Sequence, residues 1–329
     1  MKSFQAIVIR EKEGRSAGRV EKIQETDLPN ESILVEVSHS TINYKDALAV
    51  TGRGKICRRF PMVGGIDLAG VVLQSEDTSW PVGTRVLING YGLGEDHWGG
   101  LTQFQRVRAD WLVRIPERFS EAEAMAIGTA GYTAMLCVQA LQDLGVTPNS
   151  GPIIVSGATG GVGSVATMLL AKLGYEVTGV SGKGDAEAYL RSLGATNVIS
   201  RLELDRRPRP LESEQWAGGI DSVGTTTLAS MLAQMRYDGV VAACGLAGGS
   251  DLPAFVMPFI LRGVTLKGID SVMAPRERRE RAWLNLAQLL DPEQLMAVCQ
   301  TVAMTDVPSL CEDMLLGRIK GRVIVDVKA

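Results

Sequence analysis

The 329-residue chain predicts an α/β protein, an N-terminal antiparallel β domain followed by a doubly wound parallel-sheet domain, on three observations. Up to about Asp110, apolar residues come in short alternating runs broken by Gly, Pro and Asn, such as Ile33-Leu34-Val35-Glu36-Val37 and Gly70-Val71-Val72-Leu73. That is the period of half-buried strands. Beyond Gly151, β-branched runs alternate with helix-forming ones, as in strands joined by crossover helices. At the seam of the first such pair lies Val155-Ser156-Gly157-Ala158-Thr159-Gly160-Gly161-Val162-Gly163-Ser164, a strand-to-helix turn packed with glycine. A chain of this length exceeds the size at which one core keeps growing, so two domains are expected.

Between the two regions, a helix is expected from about Ser120 to Leu144, with Ser120 as its cap and Glu123 closing a capping box. The second region then reads strand Ile153 to Ser156, helix Val165 to Leu173, strand Glu176 to Val180, helix Ala186 to Leu193 and strand Asn197 to Ser200. It continues with strand Gly219 to Val223, helix Thr226 to Met235, and strands Gly239 to Cys244 and Val264 to Gly268. A helix around Arg276 to Leu290 and a last strand, Arg322 to Val327, close the chain. Arg201 to Glu214, rich in charge and proline, is expected to be loose.

The glycine turn predicts a dinucleotide pyrophosphate cradle: Thr159, Gly160, Gly161 and Val162 bring backbone to the phosphates, and the helix N-terminus offers unpaired N–H groups and the positive end of its dipole. The next strand ends in Val180-Ser181-Gly182-Lys183, with no acid to hold both ribose hydroxyls as an NAD-preferring unit requires. Ser181 and Lys183 flanking Gly182 suit a 2′-phosphate instead, so NADPH is the predicted cofactor. Arg201, just after the third strand, is placed to meet the same phosphate or stack on adenine.

Composition narrows the partners. With 45% hydrophobic and 22% charged residues and a net charge of −3, neither disorder nor nucleic acid nor an anionic membrane is favoured. No uninterrupted run of about eighteen apolar residues appears, and the N-terminus is too short and too polar for a signal peptide. A cytoplasmic protein is expected. Cys57, Cys137, Cys244, Cys299 and Cys311 are odd in number and widely spaced, signalling neither a disulfide framework nor a zinc module.

Five runs in order, Asn43-Tyr44-Lys45-Asp46-Ala47-Leu48, Gly65-Ile66-Asp67-Leu68-Ala69-Gly70, Asp96-His97-Trp98-Gly99-Gly100, Gly128-Thr129-Ala130-Gly131-Tyr132-Thr133-Ala134 and Met257-Pro258-Phe259-Ile260-Leu261-Arg262, resemble the medium-chain dehydrogenase/reductase superfamily in its acrylyl-CoA reductase branch, close to quinone oxidoreductases. The resemblance implies a GroES-like catalytic domain over 1–125 and 295–329 and a Rossmann NADPH-binding domain over 126–294. It also implies NADPH-dependent reduction of the activated double bond of acryloyl-CoA to propanoyl-CoA. No metal is expected, because the positions of the zinc ligands of related alcohol dehydrogenases hold Asn43, Ile66 and Gly128, and His39 and His97 stand at unrelated places.

In the same reading Tyr44, in a loop beside the nicotinamide, contacts the cofactor or donates a proton, and Asn43 orients the substrate carbonyl or braces the turn. Asp67 is expected in an internal hydrogen bond or an ion pair with Lys45, and His97 in a local contact. Leu246, Ile260, Ser271 and Leu316 are expected around the cofactor, the last on the weakest local pattern. The basic cluster Arg53, Lys55, Arg58 and Arg59 is either a solvated face or a seat for the phosphates of a CoA thioester. A homodimer is expected through the edge strand Val264 to Lys267. Two alternatives stay open, a quinone or enone oxidoreductase and a non-catalytic NADPH-binding protein.

Overall fold

The computed structural model describes residues 3–329 and divides them into two compact units, one of the described residues up to Thr129 with Ser271–Ala287 and Pro292–Ala329, the other of Ala130–Asp270 and Gln288–Asp291. The division falls four residues later than the expected 125/126 boundary, and most of the helix beginning at Arg276 belongs to the first unit. That helix is anchored by Arg279, whose guanidinium donates to the carbonyls of Asn89 (2.7 Å) and Val272 (3.1 Å), and by Trp283, whose indole N–H meets Asn89 Oδ1 at 3.2 Å.

In the first unit, strands β1 (Ser3–Lys12), β2 (Arg15–Gln24), β3 (Ile33–Thr41), β4 (Met62–Val63), β5 (Asp67–Ser75), β6 (Arg85–Asn89), β7 (Phe104–Val107) and β8 (Val113–Arg114) surround the short helix α1 (Tyr44–Thr51). Helix α2 (Glu121–Asp143) begins here and ends in the second unit. Its expected box is formed: Ser120 N donates to Glu123 Oε2 at 2.7 Å, and Glu123 N to Ser120 Oγ at 3.2 Å. It is the one helix among the described residues long and apolar enough to cross a membrane, and 89% of its apolar window is buried, which marks it as a core helix.

The second unit alternates β9 (Ile153–Val155), α3 (Gly161–Lys172), β10 (Val177–Ser181), α4 (Ala186–Ser192), β11 (Asn197–Ser200), β12 (Trp216–Asp221), α5 (Thr225–Ala233), β13 (Met235–Ala243), α6 (Met257–Arg262) and β14 (Thr265–Gly268). The chain then returns to the first unit through most of α7 (Arg276–Leu289), α8 (Pro292–Met296), β15 (Cys299–Ala303), α9 (Val307–Leu315) and β16 (Arg322–Asp326).

The six strands of the second unit are all parallel, in the order β11-β10-β9-β12-β13-β14. This is the doubly wound arrangement, in which the chain reverses direction across the sheet between β9 and β12 and a crevice opens at their carboxyl ends. Burial on both faces explains the unbroken apolar character of Ile153-Ile154-Val155, each fully buried. In the first unit, β15-β16-β3-β5-β6-β8, with β7 also on β3, form the larger sheet, and β2-β1-β4 the smaller. Ile7, Ile9, Val35, Val37, Leu68 and Val325 meet in its core.

The Arg201–Glu214 segment, expected to be loose, is tied down. The Arg206 guanidinium forks onto both oxygens of Glu212 (2.6 Å each), and Ser230 Oγ donates to the carbonyls of Leu204 (2.8 Å) and Arg206 (3.2 Å).

Candidate active site

In the second unit, the glycine turn joins the end of β9 to α3. Gly157 turns the chain at φ 56°, a conformation that L side chains rarely adopt, and Gly160 caps α3. The helix starts at Gly161, four residues before the expected Val165, so Gly161 and Val162 contribute orphan N–H groups at its first turn. Gly163 allows the helix to approach the strand: a Cβ there would lie 2.4 Å from the Gly157 carbonyl oxygen and 2.5 Å from Ala158 Cα. Thr159 is buried within the turn.

The four residues assigned to the 2′-phosphate come together at the ends of β10 and β11, where Ser181 pairs with Ser200. A Cβ on Gly182 would stand 2.5 Å from Arg201 Cδ and 2.6 Å from its Nε, so the arginine lies across the glycine. Ser181 Oγ accepts from Lys183 N at 3.2 Å, closing a tight turn beside Arg201. The next strand ends carry Leu246, exposed after β13, and Ile260, exposed on α6. Tyr44, Ser271 and Leu316 belong to the first unit.

Sequence reasoning missed Asp221, the fully buried end of β12. Its Oδ1 accepts from Ser156 Oγ at 2.6 Å and its Oδ2 from Gly224 N at 2.8 Å. Burial pushes its carboxyl above the ordinary value, while these donors pull it back. The available signal was an acid closing the otherwise buried run Trp216-Ala217-Gly218-Gly219-Ile220, which must be hydrogen-bonded to persist there.

In the first unit Tyr44 is not in a loop. It is the first residue of α1, with Asn43 as N-cap and Asp46 receiving the Asn43 backbone N–H at 2.8 Å. The phenol-bearing residue is 43% exposed, free of the core. Asn43 behind it is buried, and all its side-chain capacity points inward. Nδ2 donates to Asp67 Oδ2 (2.8 Å) and Asp46 Oδ2 (3.2 Å), and Oδ1 accepts from Arg322 Nη1 (3.3 Å). Asp67 also accepts from Asn89 Nδ2 (2.7 Å) and from Thr129 N (2.9 Å) and Oγ1 (2.5 Å). Arg322 further donates to Ala126 O and Thr41 Oγ1, both at 2.9 Å.

Burial, reinforced by the neighbouring Asp67, holds the Asp46 carboxyl up at about 7. Burial likewise lowers the Arg322 guanidinium, with Asp67 opposing. Asp67 is thus in an internal network as expected, whereas Lys45 pairs instead with Glu95 at 2.7 Å.

At the three positions that the resemblance assigns to zinc ligands, the donor set does not fit the metal. The Asn43 amide is consumed by carboxylates and a guanidinium, Ile66 is aliphatic, and Gly128 has no side chain. A Cβ on Gly128 would lie 2.6 Å from Arg322 Nη2 and 3.0 Å from Asp67 Oδ2, and its φ of 49° kinks α2 to make that room. His97 is in a local contact, its Nδ1 2.9 Å from the Trp98 carbonyl and its ring edge-on to Trp111; burial lowers its basicity, with the Trp98 hydrogen bond opposing. Of the basic cluster, Arg53 pairs with Glu312, and Lys55, Arg58 and Arg59 are exposed.

Residues 29–117 match the family described as alcohol dehydrogenase GroES-like domain, and residues 161–288 the one described as zinc-binding dehydrogenase. The chain is 50% identical to the probable acrylyl-CoA reductase AcuI of Escherichia coli K12, covering 98% of this chain and 100% of that protein. It is also 50% identical to the acrylyl-CoA reductase AcuI of Ruegeria pomeroyi, covering 99% and 100%. The crystal structure of E. coli K-12 YhdH with bound NADPH superposes with a TM-score of 0.96 at 50% identity, over 98% of this chain and 100% of that one.

Proposed function

The chain belongs to the medium-chain dehydrogenase/reductase superfamily, in its quinone-oxidoreductase-like branch with the acrylyl-CoA reductases, and on that premise we propose that it reduces acryloyl-CoA to propanoyl-CoA with NADPH and without a metal. The observation that carries the reading is half-identity along essentially the whole chain to acrylyl-CoA reductases. When bound, NADPH supplies a hydride for the β-carbon of the activated alkene, and the thioester carbonyl takes the resulting enolate charge.

The residues divide that work. Thr159, Gly160, Gly161 and Val162 receive the pyrophosphate on backbone N–H groups at the start of α3. Ser181, Gly182, Lys183 and Arg201 receive the 2′-phosphate, which an acid at the same place would repel. Leu246, Ile260 and Ser271 wall the nicotinamide end, with Leu316 a further contact. Tyr44 contacts the cofactor and serves as proton donor to the enolate, a phenol O–H being a group that can donate a proton to such a base. Asn43 acts from behind, bracing the turn that presents Tyr44 rather than touching substrate, because both of its amide N–H bonds are engaged.

Exposed Lys55, Arg58 and Arg59 seat the CoA phosphates, with Arg53 held back by Glu312. The open edge of β14, with exposed Val256 and Leu261 shortly before it in the chain, suits a second copy of the chain, giving a homodimer. A cytoplasmic setting supplies both NADPH and CoA esters.

The test is oxidation of NADPH measured side by side with acryloyl-CoA, crotonoyl-CoA and a quinone. Fast turnover with acryloyl-CoA and little with NADH is expected. Faster turnover of the quinone would overturn the substrate, and tight NADPH binding without any turnover would indicate a non-catalytic binder. Neutralising Lys55, Arg58 and Arg59 raises KM for the CoA ester and leaves a quinone unaffected if the cluster holds CoA. An unchanged kcat in Tyr44→Phe would remove Tyr44 from the chemistry.

A further inference from the structure

The crevice between β9 and β12 is where the sheet's connections diverge, so beyond the strand ladder nothing in the backbone pattern obliges the two lips to stay in register. The ladder between them ends at Val155 opposite Ile220, with one further bond from Ser156 N to Ile220 O at 3.0 Å. Past that point side chains take over. Ser156 Oγ donates to Asp221 Oδ1 at 2.6 Å and accepts from Ser222 N at 3.0 Å, and Ser222 Oγ donates back to Ser156 O at 3.3 Å. Asp221 Oδ1 and Oδ2 also receive Val223 N (3.3 Å) and Gly224 N (2.8 Å), which shapes the entry to α5. The third lip is fastened to the same residue: Cys244 N donates to Asp221 O at 2.8 Å, and Cys244 Sγ to the same oxygen at 3.3 Å.

Asp221 and Ser156 are both buried, and among the described residues no salt bridge to a cation serves the carboxylate, so its charge is balanced there by hydrogen-bond donors. An apolar pair would fill this place at less electrostatic cost. What sits on the pair explains its presence. Gly157 follows Ser156 directly, and a Cβ there would lie 2.6 Å from Ser222 Oγ, so the first bend of the phosphate turn rests on this bolt.

We propose that Asp221 is a positioning residue for the nucleotide: bolted to Ser156, it fixes Gly157 to Gly160 and hence the direction of the α3 N–H groups, and so sets affinity for the pyrophosphate of the cofactor. The inference rests on the NADPH reading above.

Its test uses the full chain and two titrations, with NADPH and with adenosine 2′-monophosphate, which carries the 2′-phosphate but no pyrophosphate. Ser156→Ala, which deletes one hydroxyl, is expected to weaken NADPH about tenfold, and Asp221→Asn, whose amide opposes an N–H donor, by more. Both bind adenosine 2′-monophosphate as the wild type does. The double variant is no weaker than Asp221→Asn alone, since the two act as one unit. Equal weakening of both ligands, or a lowered thermal midpoint with NADPH binding intact, overturns the proposal by reducing the pair to general stability. Ser156→Ala carries the test if Asp221→Asn does not fold. A wild type that fails to bind NADPH would instead sink the cofactor reading.

Discussion

Replacing Arg322 by Met tests how the first unit balances buried charge. The guanidinium is 3% exposed and donates to the Ala126 carbonyl, Thr41 Oγ1 and Asn43 Oδ1. It faces Asp67 and Asp46, both buried, and among the described residues these three form one network through Asn43. Met matches the length of the side chain without its charge, so three acceptors lose a donor and two carboxylates lose their cation. Removing one partner of a buried ionic set costs roughly 3–5 kcal/mol.

The loss has a pH signature. Asp46 already titrates at about 7 because it is buried beside Asp67, and withdrawal of the cation raises it further. The folded variant then keeps a proton that the folded wild type releases. A carboxyl that binds its proton more tightly in the folded chain than in the unfolded one adds stability as pH falls, so the deficit narrows from about pH 9 toward 7. Urea unfolding followed by tryptophan emission reads this directly, because Trp80, Trp98, Trp111 and Trp283 lie in the first unit and Trp216 in the second. A loss below about 1 kcal/mol, or one of equal size at both ends of that pH range, refutes the account of Arg322 as counter-charge.

Three further outcomes follow from single contacts. Gly163→Ala pushes α3 off β9, since backbone atoms only 2.4 and 2.5 Å from the new Cβ cannot rotate away; a loss of about 1–3 kcal/mol with weaker NADPH binding is expected, and normal values of both would show that the helix has room. Lys183→Ala with Arg201→Ala removes two charge-assisted contacts, so KM for NADPH rises on the order of 100-fold while that for NADH stays put; a parallel rise for both nucleotides would place the cations elsewhere. Glu212 is held down at about 2, first by Arg206, so its contribution is present above the unfolded value of 4.5 and disappears as pH falls toward 2. Glu212→Gln therefore lowers the thermal midpoint at pH 6 and much less at pH 3, and an equal drop at both would deny the ion pair its role.

What could be read in advance follows the range of the interactions. The strand, glycine turn and helix of the cradle announce themselves within a dozen residues, as does the Ser120–Glu123 box. The start of α3 was misplaced because Gly160, Gly161 and Gly163 are poor helix formers, and at Gly163 it is the close approach to Gly157 and Ala158 that calls for glycine. Helix α1 hid for a different reason. Its eight residues hold one strong signal, the Asn43 and Asp46 box, and Asp46 simultaneously serves a buried network in which Asn43 and Arg322 lie 279 residues apart. Edge strand β15 and helix α9 are likewise settled by what they pack beside, β16 and α1, rather than by their own pattern.

The same distance rule explains why the strand-end residues were easier to group than the buried network. Ser181, Lys183 and Arg201 could be grouped because parallel strands bring their carboxyl ends to one edge, so a reader who knows only the strand ends knows which side chains meet there. Asn43 could not be assigned, since a lone asparagine at a turn looks the same whether it faces a ligand or an arginine 279 residues further on. Once both of its amide hydrogens are seen to be spent on Asp46 and Asp67, the exposed phenol one position later is left as the group that this turn presents. The buried network reaches the turn through Asn43, so its effect on Tyr44 runs through the placement of α1. Arg322→Met should therefore change activity no more than its loss of folded protein accounts for, unless Tyr44 itself has moved.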